Sequence, residues 1–174
     1  MVDRLGEYYN IPVYRTPVGF KYVGPKMVEK SCCIGGEESG GYAFRQHIPE
    51  RDGILSALFF LEALIIQKKK TSSLIAELQK KMGPHVFERA DLNFPPNLRK
   101  TFESKIDQFS VDSIGGLKVM LEDRQDGIKL TMKDGSWLAI RMSGTEPLIR
   151  VYVESSDKTK IKKIFNDVFS KLRK

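Results

Sequence analysis

Cysteine is almost missing from this chain. Cys32 and Cys33 are the only two of 174 residues, and they sit side by side in an apolar run. Metal and redox sites want a two-residue spacing with further partners. The pair therefore reads as buried thiols of a reducing compartment, with no metal bound. Histidine is as scarce, with only His47 and His85. No apolar run approaches the ~20 residues of a membrane span, and Met1-Val2-Asp3-Arg4-Leu5 lacks the charged-then-apolar layout of a signal peptide. No membrane association is expected, and the location expected is cytoplasmic. Internal repeats and low-complexity segments are also lacking. The apolar share of 41% and charged share of 29% are those of an ordinary globular protein. The formal net charge of +7 comes largely from Lys68-Lys69-Lys70, Lys80-Lys81 and the last helix. These runs fall at helix ends and on polar helix faces, where cations suit the C-terminal dipole. No aromatic residues interleave with them in a stacking pattern, so nucleic acid is not an expected partner.

What is present is concentrated in two short segments. Arg141-Met142-Ser143-Gly144-Thr145-Glu146-Pro147 runs directly into Leu148-Ile149-Arg150-Val151-Tyr152. Leu138, Ile140 and Met142 alternate with Trp137, Ala139 and Arg141, and Ile149, Val151 and Val153 alternate with Arg150, Tyr152 and Glu154. Both arginines thus belong to the faces opposite the aliphatic ones, at strand ends beside one loop. Guanidinium forks match phosphate oxygens, hydroxyls add neutral donors, and glycine lets backbone N–H groups turn toward an anion. An ordinary polar turn between strands with solvated arginines is the alternative reading.

The second segment is Gly35-Gly36-Glu37-Glu38-Ser39-Gly40-Gly41, after the apolar Cys32, Cys33 and Ile34. It reads as a buried strand ending in a glycine-rich loop, where open α/β sheets bind ligands. A carboxylate and a hydroxyl there suit vicinal sugar hydroxyls. A surface loop with two solvated glutamates is the alternative on spacing alone.

Taken together, these segments resemble the alpha-D-phosphohexomutases, the phosphoglucomutase/phosphomannomutase family. Arg-Met-Ser-Gly-Thr-Glu-Pro-Leu-Ile-Arg-Val-Tyr is similar to its C-terminal phosphate-binding loop, and Glu37 and Ser39 match its sugar-gripping loop. Thr16-Pro17-Val18-Gly19-Phe20-Lys21 resembles its T-x-x-G-[FW]-K segment, placing Gly19 and Lys21 near the ligand. His47-Ile48-Pro49-Glu50-Arg51-Asp52-Gly53 is similar to its basic Asp-Gly entry into a long helix, with Arg51 as the substrate-reaching residue. The resemblance covers nearly the whole chain in order. It implies substrate binding by Gly19, Lys21, Glu37, Ser39 and Arg51, and phosphate binding by Arg141, Ser143, Gly144, Thr145 and Arg150. The family's Ser-His-Asn and Asp-Gly-Asp loops, which carry its phosphoserine and its magnesium ligands, are not in this sequence.

The resemblance further implies the C-terminal part of such an enzyme: most of domain three, N-terminally truncated, then domain four. The whole enzyme interconverts hexose 1- and 6-phosphates through a phosphoserine, with Mg2+ and a glucose 1,6-bisphosphate intermediate. Its missing N-terminal domains are partners of this chain, which is expected to be inactive alone. A stand-alone, non-catalytic phosphosugar-binding module is the alternative. The Glu-Glu-Ser-Gly-Gly form looks more like the glucose and mannose members than the hexosamine ones.

The expected fold is an α/β layered domain over 1–92, followed over 93–174 by an α+β domain with an antiparallel sheet covered by helices (TBP-like, by the resemblance). Ile11 to Arg15 reads as a short strand, and Phe20 to Glu29 as a helix that Gly24-Pro25 bends or starts. Asp52 suits the N-cap of a helix to about Lys69, whose apolar residues run nearly all round and predict deep burial. A helix over 72–81 stops at Gly83-Pro84. The connector Asp91-Leu92-Asn93-Phe94-Pro95-Pro96-Asn97 marks the boundary. A helix over 98–109 and strands around Leu117–Leu121, Ile128–Met132 and Ser136–Met142 follow, with Asp134-Gly135 as a hairpin turn. The last helix carries Ile161, Ile164, Phe165, Val168, Phe169 and Leu172 on one stripe.

Overall fold

A computed structural model describes residues 1–173, and the chain divides into two units, Met1–Met82 and Gly83 onward. The first unit holds α1 (Val2–Tyr9), α2 (Phe20–Lys30), the hairpin β1 (Ile34–Gly36) and β2 (Tyr42–Phe44), α3 (Gly53–Gln67) and α4 (Thr71–Met82). The second holds β3 (Val86–Asn93), α5 (Arg99–Asp107), β4 (Ser113–Ile114), β5 (Leu117–Asp123), β6 (Ile128–Met132), β7 (Trp137–Met142), β8 (Leu148–Ser155) and α6 (Lys158–Arg173). The α/β and α+β character read from the sequence is present.

In the first unit, α2 runs through Pro25 without ending. Its inner face, Phe20, Val23 and Met27, packs on Ala43 of the hairpin to make a small core. Gly19 caps this helix at φ 124°, a backbone region that favours glycine.

Three expectations fail here. Residues 11–15 form no strand: Asn10 closes α1 in a left-handed turn, and Ile11 N–H returns to Gly6 O at 2.8 Å, so the segment gains no ladder partner. Cys33 is exposed and Ile34 is 49% exposed, because β1 pairs only with β2 in a two-stranded sheet. Finally, α3 has no buried residue, with Ile54 at 78% and Ile65 at 74% exposure. A three-residue hairpin strand touching it through Phe44 and Phe59 cannot cover fifteen residues of helix. The Asp52 cap is as expected: its carboxylate accepts from Leu55 N–H at 2.8 Å.

The second unit is built on a six-stranded antiparallel sheet in the order β3-β8-β7-β6-β5-β4. The expected connector proves to be partly strand, because Asp91, Leu92 and Asn93 pair with Arg150, Ile149 and Leu148. Ala90 and Leu92 alternate inward onto the core while Arg89 and Asp91 face out. The division therefore falls at 82/83 and not near residue 92.

One face of the sheet carries Leu130, Leu138, Ile140, Ile149, Val151 and Val153, all fully buried. Ile161, Ile164, Phe165, Val168 and Leu172 of α6 close over it. Each such side chain contributes about 1.5–3 kcal/mol by leaving water. At the start of α6, Asp157 Oδ1 accepts from Thr159 and Lys160 N–H. This face is what holds β7 and β8 rigid, and with them the loop between.

Candidate functional site

The first cluster lies at the hairpin tip. Glu37 N–H donates to Gly41 O at 2.9 Å and Gly40 N–H to Glu37 O at 3.1 Å, closing a tight loop with Gly40 at φ 94°. Inside it the Glu37 carboxylate is held from two directions. Oε1 accepts from Gly19 N–H at 2.9 Å, and Oε2 lies 3.6 Å from Arg51 Nη1. The Arg51 guanidinium also lies over the Phe20 ring at 5.5 Å. A Cβ on Gly41 would collide with Arg51 Cδ, so the absent side chain makes room for the arginine stem.

Next along the chain, burial alone does not govern Asp52: its carboxyl is held below the usual range first by Leu55 N–H and then by His47, whose Nε2 is 2.9 Å away. Of the expected substrate-binding residues, Gly19, Glu37 and Arg51 are thus brought together. Ser39 stands exposed on the loop, and Lys21 is turned onto the Tyr22 ring at 4.9 Å.

The second cluster is the β7–β8 turn. Arg141 and Arg150 are direct cross-strand partners on the face away from the core. Like charges opposite one another on a sheet are destabilising; Asp126 Oδ2 lies 3.2 Å from Arg141 Nη1, Glu146 Oε2 lies 3.1 Å from Arg150 Nη2, and Asp91 stands opposite Arg150 on β3. The Nε atoms of both arginines are buried with no hydrogen-bond partner. Buried donors are almost always satisfied, so two orphans side by side mark a place built for an acceptor.

Ser143, 1% exposed, fixes the loop: its N–H donates to Leu148 O at 2.9 Å, and its Oγ accepts from Glu146 N–H at 3.2 Å. The hydroxyl proton stays free to donate. Gly144 and Thr145 are exposed at the tip.

Sequence reading did not single out Arg99, whose Nη2 donates to Ser143 O at 2.9 Å, nor the pairing of Asp126 with Arg141. The one signal available for Arg99 was a cation in the first turn of a helix, where the dipole disfavours it.

Comparison with known proteins gives the family. The family model described as Phosphoglucomutase/phosphomannomutase, alpha/beta/alpha domain III matches residues 1–82, and the one described as its C-terminal domain matches residues 67–171. The chain belongs to this family. A phosphoglucomutase/phosphomannomutase of Thermococcus kodakarensis is 31% identical over 160 residues, covering 92% of this chain and 33% of that protein. A phosphoglucosamine mutase of Desulfotalea psychrophila is 33% identical over 160 residues, covering 92% of this chain and 31% of its own length. A crystal structure described as a phosphomannomutase from Thermus thermophilus superimposes with a TM-score of 0.77 at 29% identity, over 99% of this chain and 34% of that one. The chain spans about a third of the length of the curated relatives it matches.

Proposed function

We propose that this phosphohexomutase-family chain is the sugar- and phosphate-recognising part of an enzyme that interconverts hexose 1-phosphate and hexose 6-phosphate. The observation that carries the reading is the pair of buried, unpartnered Nε donors of Arg141 and Arg150 on adjacent strands. A phosphate dianion supplies the acceptors they lack and the negative charge that separates two facing cations. The Ser143 hydroxyl and the Gly144 and Thr145 N–H groups complete the grip on the non-transferring phosphate. Glu37, oriented by Gly19 N–H and Arg51, accepts from sugar hydroxyls, with Ser39 and Lys21 reaching the same ligand.

Binding energy from the remote phosphate positions the reacting end. One set of groups must hold the sugar in two orientations, so both phosphate esters can be presented in turn. Relatives include phosphoglucosamine mutases as well as phosphoglucomutase/phosphomannomutases; glucose or mannose phosphate is our reading for this chain.

In the whole cytoplasmic enzyme a phosphoserine exchanges its phosphoryl group with the sugar through a bisphosphate, with Mg2+ supplying charge neutralisation. In this reading the magnesium ligands belong to the part of the enzyme outside this chain, whose own residues bind and orient the sugar phosphate. Alone, the chain binds without turnover.

The test is a titration of the isotope-labelled chain with glucose 1,6-bisphosphate at low salt, with inorganic phosphate as control. Saturable amide shifts in both 36–41 and 141–150, stronger than with phosphate, are expected. An absence of shifts in 141–150 with either ligand would overturn the reading.

A further inference from the structure

Arg99 opens α5, so its charge sits at the positive end of the helix dipole. The guanidinium is engaged sideways instead. Nε donates to Glu103 Oε1 at 3.0 Å one turn on, and Nη2 reaches 44 residues along the chain to donate to Ser143 O at 2.9 Å. The same stretch touches the loop again where Phe94 N–H donates to Pro147 O at 3.1 Å. Carbonyls at both ends of the 143–147 loop are therefore held by the segment 94–99.

We infer that Arg99 is a positioning residue for the phosphate loop, a role that rests on the phosphate site proposed above. No peptide bond among the described residues is cis, and a planar trans peptide sets its C=O and N–H antiparallel. Drawing the Ser143 carbonyl toward Arg99 therefore turns the Gly144 N–H the opposite way. Among the described residues neither Gly144 N–H nor Thr145 N–H bonds a backbone carbonyl. The brace leaves both donors for an anion and keeps the Ser143 oxygen from facing it. Glu103 fixes the guanidinium fork so that Nη2 stays on its target. Phe94 does the same for the far end of the loop without any charge, which separates anchoring from electrostatics.

The decisive experiment is a titration of the full 174-residue chain and its Arg99→Ala, Arg99→Lys and Glu103→Gln variants with inorganic phosphate. It follows the Gly144 and Thr145 amide signals together with the Arg141 and Arg150 Nε–H signals. Loss of one charge-assisted hydrogen bond predicts roughly tenfold weaker binding for Arg99→Ala. Its Gly144 amide should no longer respond, while both arginine Nε–H signals still do. Arg99→Lys keeps the charge but not the fork and should fall between, with a reduced Gly144 response. Glu103→Gln should weaken binding a few-fold, and it carries the test if Arg99→Ala fails to fold.

Wild-type affinity and a full Gly144 response in Arg99→Lys would mean charge alone acts, and would overturn the inference. So would an Arg99→Ala variant that binds like the wild type. If the wild-type chain itself gives no saturable arginine shifts, the phosphate site falls, and this inference with it. That result is distinct from wild-type binding that Arg99 does not influence.

Discussion

Replacing Arg150 by methionine should make the second unit more stable and a worse phosphate binder at once. The terms can be worked from the structure. The ion pair lost is with Glu146, whose side chain is 56% exposed, so it contributes about 0–1 kcal/mol. Relief of the cross-strand repulsion from Arg141 returns about 0.2–1 kcal/mol, and loss of the attraction to Asp91, opposite on β3, costs about the same. Removing a buried, unsatisfied Nε returns about 1–3 kcal/mol more, and methionine keeps the apolar stem in place.

The balance favours Arg150→Met by about 1–2 kcal/mol in phosphate-free buffer. For a unit of this size that corresponds to a rise of roughly 4–16 °C in melting temperature. With phosphate present the gap closes, because at a hundredfold excess over its Kd the wild type gains linkage stabilisation of about 2.7 kcal/mol while a variant binding tenfold more weakly gains only about 1.4 kcal/mol. The variant, short of a forked charged donor, should bind at least roughly tenfold more weakly.

The single tryptophan, Trp137, lies on β7 in the second unit and reports its unfolding. Urea melts followed by its fluorescence, with phosphate or with chloride at matched ionic strength, make the measurement. A variant less stable than wild type by about 1 kcal/mol or more without phosphate would refute the reasoning, since the arginine would then be satisfied by the protein itself.

Arg141→Ala in the whole enzyme should raise KM for hexose phosphate and lower kcat/KM, and unchanged kinetics would remove the clamp assignment. Gly127 has φ 75°, and a Cβ there would run into Ile140 O; Gly127→Ala should therefore cost about 2–3 kcal/mol or more in urea melts. Burial by itself would raise the Asp134 carboxyl, but Lys160 Nζ at 2.6 Å and the Ser136 N–H outweigh it and hold it low. Its contribution to stability is thus present above pH ~4, the unfolded value, and lost as pH falls through the folded one; Asp134→Asn should flatten that acid limb of a stability-against-pH curve. Gly41→Ala should push Arg51 off its seat near Glu37, weakening sugar recognition with little change in melting temperature, as read by glucose 1,6-bisphosphate shifts at Glu37.

The second unit was the more legible half. Strict alternation in Leu138–Met142 and Ile149–Val153 has one physical cause, a sheet with one covered face, and that cause lies within the unit itself. Period-2 patterning therefore identified the strands, their faces and the arginine pair. Glu37 and Arg51 were reached through a motif, and the contacts of Glu37 with Gly19 N–H and with Arg51 follow from a loop geometry that no periodicity encodes.

The misreadings share another cause, a missing neighbour: Ile11–Arg15 has strand composition but no hydrogen-bonding partner, and the strand that follows Cys32 and Cys33 stays exposed because it pairs only with β2. Residues 91–93 erred the other way, their polar character hiding a ladder with Arg150, Ile149 and Leu148. Arg99 escaped because its target is an ordinary backbone oxygen 44 residues away.

The bare α3 helix has a practical consequence. Ile54, Leu58, Leu61, Ile65 and Ile66, each more than half exposed, lie on one rod of fifteen residues. Contiguous apolar surface of this kind binds hydrophobic dyes and drives self-association as concentration rises. Preparations of the isolated chain should therefore brighten anilinonaphthalene sulfonate while fully folded. They should also broaden in sedimentation well below the concentrations usual for spectroscopy, and glutamate or lysine substituted at Ile54 and Ile65 should restore a sharp boundary.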